Sequence, residues 1–146
     1  MKQVVINGGG TYGSLLTPKW MVEYYRRKGI DLYVYEWVDE YDNDYIAKII
    51  NPNELDDATE IYCPYYLTEN VGEVIEDFTE EIEFKMINVS DMFEDREDKV
   101  LIDIAREINN EKLIKIVEIP DDVEYDIVES DCGFGEYIAE KHRVWY

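Results

Sequence analysis

The chain has 146 residues, 46% apolar and 14% aromatic, with 35 Asp and Glu against 14 Lys and Arg, a formal net charge of -21. That apolar content is globular rather than disordered, and the length fits one domain, residues 1–146, burying about two-thirds of the surface its unfolded chain exposes. Such an acidic excess repels nucleic acid and anionic membranes, so neither is expected as a direct partner and a cationic protein is.

Val4-Val5-Ile6 reads as a short buried strand running into Asn7-Gly8-Gly9-Gly10-Thr11-Tyr12-Gly13. Thr17-Pro18 opens a helix, with Thr at the N-cap and Pro in the first turn, where its missing N–H costs nothing. Trp20, Met21, Tyr24 and Tyr25 recur at helical spacing, and Arg26-Arg27-Lys28-Gly29 closes the helix with cations at its negative end and Gly as C′. Ile30 to Val38 is rich in β-formers and predicts a second strand. Residues 39–60 are acidic and carry a turn at Asn51-Pro52-Asn53.

Ile61 to Leu67 predicts a strand that Pro64 confines to an edge or bulge. Residues 71–90 read either as a short helix or as a strand over Phe84 to Val89. Val100, Leu101, Ile104, Ala105 and Ile108 form one apolar stripe, with Asp95 and Asp98 placed to cap its start and Asn109-Asn110 at its end. Leu113 to Ile119 is a third strand. Val123 to Val128 and Tyr137 to Trp145 flank Asp131-Cys132-Gly133-Phe134-Gly135 as a hairpin. The order predicts an α/β (α+β) two-layer sandwich with a mixed sheet, two to three helices and a C-terminal β-hairpin.

Gly8, Gly10 and Gly13 satisfy G-x-G-x-x-G after a strand, and Glu36 lies near the end of the next one. On pattern alone this is the dinucleotide-binding fingerprint. Against it, the helix of that fold begins inside the glycine motif, where Pro18 would clash with the preceding turn. The C-terminal half also lacks a second βαβ repeat. A smaller anion is the remaining ligand reading, held by glycine N–H groups across Gly8, Gly9, Gly10, Thr11, Tyr12 and Gly13, with Lys19 early in the adjoining helix.

Cys63 and Cys132 stand far apart in no metal spacing, which fits reduced thiols in a cytosol. Residues 1–6 lack the apolar stretch of a signal peptide, and no segment has the length of a membrane span. Asp42, Asn43 and Asp44 lack the EF-hand pattern, so no metal is expected, nor any cofactor. His142, the only histidine, sits on a predicted strand beside Lys141 and Arg143 and is expected to be a surface residue. Asp131 and Glu129 raise the pKa of Cys132 and disfavour a nucleophilic thiolate. No catalytic residues are assigned.

The acids fall into three blocks: nine between Glu36 and Glu60, twelve between Glu69 and Asp98, and eight between Glu118 and Glu136. One block would be a solvated face; three in one small domain point to a surface that imitates nucleic-acid phosphates and occupies a basic channel, with tyrosines supplying contact area. The candidate contact residues are Asp39, Glu40, Asp42, Asp44, Asp121, Asp122, Glu124, Asp126 and Glu129.

Two runs carry a resemblance. Lys115-Ile116-Val117-Glu118-Ile119-Pro120-Asp121-Asp122-Val123, followed by an acidic strand and Glu136-Tyr137-Ile138-Ala139-Glu140-Lys141-His142-Arg143-Val144-Trp145, resembles the ending of small proteins encoded by tailed bacteriophages and prophages. Those endings run I-P-D-D-V, an acidic strand, a Gly turn and W-V-A-E-K-H-R-x-W. Leu16-Thr17-Pro18-Lys19 and Lys28-Gly29 are similar to their first helix. This chain departs in carrying Asp131-Cys132-Gly133-Phe134-Gly135 in place of a shorter Asp-Gly turn. The resemblance implies the cytoplasm of an infected bacterium and no particular activity. The functional expectation is an acidic accessory protein that inhibits a basic host factor. The alternative is a small-ligand or nucleotide-sequestering protein using Gly8–Gly13, and the third reading is an enzyme built on the His142 hairpin. Self-association is compatible with each.

Overall fold

In the computed structural model, residues 1–9, 15–39, 45–57, 59, 61, 64–87, 93–130 and 135–141 are described. The chain divides into two compact units, one made of Met1–Leu16 and Phe93–Tyr146 and the other of Thr17–Met92. Sixteen acids face eight cations in the first and nineteen face six in the second, so both units carry the excess.

The first unit is built on β1 (Lys2–Asn7), which pairs antiparallel with β6 (Ile114–Ile119) in the register Lys2 to Ile119 through Asn7 to Ile114. Val4, Val5 and Ile6 are all buried, as a strand covered on both faces requires. Helix α3 (Lys99–Ile108) packs on this pair through Leu101, Ile104 and Ala105. Its start is set by Asp98, whose Oδ1 accepts from the Val100 N–H at 2.9 Å, and its end by Asn109 in the left-handed region at φ 47°. The C-terminal hairpin joins β7 (Tyr125–Glu129) to β8 (Glu136–Glu140), and β8 lies against β1.

The second unit is a four-stranded antiparallel sheet in the order β4-β2-β3-β5, from β2 (Tyr33–Asp39), β3 (Tyr45–Ile49), β4 (Tyr65–Leu67) and β5 (Val74–Ile75). Tyr35, Ala47, Leu67 and Ile75 form its core, with Phe78, Ile82 and Met86 packed against them. The Tyr35 hydroxyl donates to the Gly72 carbonyl at 2.7 Å and accepts from the Val71 N–H at 3.2 Å, so the loop entering β5 is tied to the centre of the sheet.

Helix α1 (Pro18–Arg27) starts where the sequence places it, but the Thr17 hydroxyl donates to the Asp57 carbonyl at 2.8 Å instead of capping the helix. Its end is a Schellman motif: Gly29, at φ 86°, donates to Arg26 O and Ile30 donates to Tyr25 O. A short 3₁₀ helix spans Pro52–Glu54, and α2 spans Glu80–Lys85.

The α+β composition, three helices and C-terminal hairpin agree with the sequence reading. Two expectations are corrected, and one open reading is resolved. All described strand pairs are antiparallel, so the sheets are not mixed. Residues 39–60, described as acidic with a turn at Asn51-Pro52-Asn53 and given no strand, contain β3. Of the two readings left open for residues 71–90 the short helix is found: Phe84 is the fifth residue of α2, because Thr79 accepts from the Ile82 N–H and Glu80 and Glu81 favour a helix N-terminus.

Candidate functional site

The acids of the C-terminal hairpin are displayed outward. Asp121, Asp122, Glu124, Asp126 and Glu129 are all exposed. Strand alternation puts Asp126 on the same face of β7 as Glu124, and the pairing of Val128 with Tyr137 brings Tyr137, 52% exposed, onto that face. Glu129 points to the other face, so five acids within nine residues do not form one patch. Asp121 meets the N-terminal ammonium at 3.3 Å, and Asp126 meets Lys141 at 3.7 Å, both at the surface. Asp122, Glu124 and Glu129 make no ion pair among the described residues. The Tyr125 hydroxyl donates to Glu97 at 2.9 Å; burial, with that carboxylate beside it, pushes its pKa up to about 12.

Several cations elsewhere are engaged by nearby acids. Glu23 accepts two bonds from Arg26 and one from Arg27, the Arg26 bonds leading the effects that hold its carboxyl at about 2. Lys85 pairs with Glu69 at 3.0 Å and Glu81 at 3.6 Å, and Arg106 with Asp103 at 3.6 Å. Lys19, the cation assigned to the glycine loop, bonds Asp57 at 2.5 Å and lies over the Trp20 ring at 5.3 Å.

Gly8 serves packing. A Cβ on Gly8 would lie 2.0 Å from the Glu111 carbonyl oxygen and 2.8 Å from the Lys112 carbonyl carbon, so only glycine lets the chain pass the turn into β6. The Gly8 N–H donates to Leu113 O at 3.1 Å and the Gly9 N–H to Asn7 Oδ1 at 2.8 Å. These two amides are thus committed within the protein. Moreover, β1 pairs with β6 while β2 belongs to a different sheet, so the parallel βαβ unit of the dinucleotide fingerprint is not formed.

Beside this segment stands an ion pair the sequence did not reveal. Glu136, 13% exposed, accepts from the Asn7 N–H at 2.8 Å and from both terminal nitrogens of Arg96 at 2.8 and 3.1 Å. Arg96 also donates to Phe93 O at 2.7 Å and Val5 O at 3.2 Å. Burial pushes the Glu136 carboxyl up, but the Arg96 bonds, the Asn7 N–H and the Arg96 charge outweigh it and hold it below its ordinary value. Glu136 lies 40 positions from Arg96 and 129 from Asn7, a juxtaposition that no sequence spacing signals. Next to them a groove of about 400 Å³ is lined by Asn7, Gly8, Glu111, Lys112, Lys115 and Tyr137, among others.

Asp39 ends β2, its backbone opposite Tyr45. Glu40, Asp42, Asn43, Asp44, Gly10, Thr11, Tyr12, Gly13, Cys63, Asp131, Cys132 and His142 lie outside the described residues. Among those described, no group of three or more His, Cys, Asp or Glu is arranged to hold a metal, and no helix is long and apolar enough to cross a membrane. No family model matches the chain, and no curated protein or solved structure matches it.

Proposed function

We propose that the protein is a phage-encoded acidic accessory protein that binds and inhibits a basic host factor, such as a defence nuclease or another nucleic-acid-binding protein, in the cytoplasm of the infected bacterium. The carrying observation is the charge distribution: Arg26, Arg27, Lys85, Arg96 and Arg106 are engaged by acids nearby, while Asp122, Glu124 and Glu129 stay exposed and make no ion pair among the described residues. Glu124 and Asp126 share a strand face about 6.8 Å apart, twice the axial rise of about 3.4 Å per phosphate of one DNA strand. Tyr137 on that face adds contact area of the kind that anchors interfaces. The resemblance of the C-terminal run to small tailed-phage proteins supports the setting.

The test is capture of a basic protein from the bacterial host, followed by a salt titration. Binding should weaken steeply from about 50 to about 500 mM salt. Glu124→Lys with Asp126→Lys should weaken it further. Indifference to salt would sink the reading.

A second reading has its own observation, the groove beside Gly8, where Lys112 and Lys115 stand with exposed Tyr137. There a nucleotide would stack on the tyrosine and place its phosphates on the lysines. Nucleotides should then raise the melting temperature, and Lys112→Ala with Lys115→Ala should abolish the rise. A broad nucleotide panel without any shift rejects it.

A further inference from the structure

The second unit carries an apolar groove on the outer side of β4. About 640 Å³ in volume, it is walled by Pro64, Tyr65, Phe78, Met86 and Ile87, with Glu83 at its rim. Its frame is fixed by the backbone: Thr68 N–H donates to Lys85 O and Ile87 N–H to Tyr66 O, both at 2.9 Å, around a Leu67–Met86 bridge. Tyr65 and Phe78 lie with ring centroids 4.9 Å apart. The same short helix that supplies Glu83 holds Phe84 out to solvent, 90% exposed, while Ile82 faces the core. Between residues 76 and 84 five acids (Glu76, Asp77, Glu80, Glu81, Glu83) occur with no Lys or Arg.

We propose that the α2 groove seats a cationic amphipathic segment of the protein's partner. An apolar side chain of that segment enters the groove, its Lys or Arg residues meet Glu80 and Glu83, and Phe84 packs against its apolar face, while Glu81 stays with Lys85. The assignment deepens the charge-led reading above and rests on it. Charge complementarity selects this occupant, since a neutral or acidic segment would meet the acidic rim unpaired. Apolar walls supply the close packing that a purely electrostatic contact lacks, which makes the site discriminate among basic partners. Among the described residues Phe84 is left almost wholly unburied.

The probe is a helical amphipathic 14-mer of Leu and Lys, compared with an oligolysine of equal charge, by titration calorimetry. The Leu-Lys peptide should bind more tightly than oligolysine. Phe84→Ala should weaken the Leu-Lys peptide about 10- to 100-fold, the worth of one buried phenylalanine, and leave oligolysine binding unchanged. Because Phe84 is exposed, its variant should melt with the wild type. Glu83→Lys gives an independent check at the rim and should weaken the Leu-Lys peptide at least about 5-fold at low salt. If both peptides bind equally, with salt sensitivity but no response to either α2 substitution, docking at α2 is overturned and the charge-led reading survives. If neither peptide binds at any salt concentration, both fail.

Discussion

Glu136→Gln isolates the ion pair that ties three distant stretches of the first unit together. The amide keeps the shape of the carboxylate and an oxygen for the Asn7 N–H, but it leaves Arg96 without its counter-charge. Arg96 and Glu136 side chains are only 16% and 13% exposed, so the guanidinium cannot recover full hydration. Breaking one side of a fully buried pair costs about 3–5 kcal/mol; with residual exposure, and with the Phe93 and Val5 carbonyls still accepting from Arg96, about 2–3 kcal/mol is expected near neutral pH. The sign of the pH dependence follows from the depressed folded-state pKa. A carboxylate with a lowered folded pKa stabilises the fold fully above its unfolded pKa, about 4.5, and loses that contribution as pH falls through the folded value. Protonated wild type then resembles the amide, and the difference between the two proteins should shrink towards zero below about pH 4. The relief of self-repulsion on protonating other acids is common to both proteins and cancels in the comparison. Urea unfolding followed by circular dichroism, from about pH 6 to about pH 3, measures it. A difference that is under about 0.5 kcal/mol at pH 6, or that stays constant down to pH 3, refutes the assignment.

Gly8→Ala should destabilise by about 2–3 kcal/mol in the same assay, because the methyl group meets backbone at Glu111 and Lys112 and no side chain can move aside; a cost near zero would contradict the close approach. Tyr35→Phe removes a hydroxyl that serves both Gly72 and Val71 and should cost about 1–2 kcal/mol; an equally stable variant would show that the loop needs no tether. Raising salt from about 50 to about 500 mM should raise the melting temperature by screening the -21 charge, and a fall would mean that internal ion pairs outweigh the repulsion.

Local signals carried the elements they belong to. Thr17-Pro18 and Gly29 bracket α1 because proline's fixed φ and glycine's access to positive φ act within a few residues, whatever the tertiary context. The stripe around Leu101 and Ile104 and the cap at Asp98 placed α3 for the same reason. Strand β3 was missed because Tyr45–Ile49 is five residues set among acids, and what makes it a strand is its pairing with β2 on one side and β5 on the other. Helix α2 was left ambiguous although Thr79-Glu80-Glu81 is a start signal, because six residues are too few to show a helical period. The hairpin acids were legible as exposed, yet their division between two strand faces depends on register. Phe84's exposure and the Arg96–Glu136 pair are tertiary facts without a local trace.

The same distinction separates the glycine motif from the charge as signals. A fingerprint binds pyrophosphate only through the strand, turn and parallel neighbour that surround it, and here Gly8 is committed by the turn at Glu111 and Lys112 while β1 takes β6 as its antiparallel partner. Charge is additive and acts over about 8–10 Å, so a large acidic excess needs no particular fold to set up a negative field. Where that field becomes specific is decided by what stands among the acids. On the hairpin the acids stand with one exposed tyrosine, and on α2 Glu83 rims an apolar groove while the neighbouring Phe84 is left unburied. A phosphate mimic that relied on the hairpin alone would bind basic proteins indiscriminately and lose them together as salt rises. Retention of one basic partner over others at high salt requires an apolar contact, and the groove beside α2, with Glu83 at its rim, offers one.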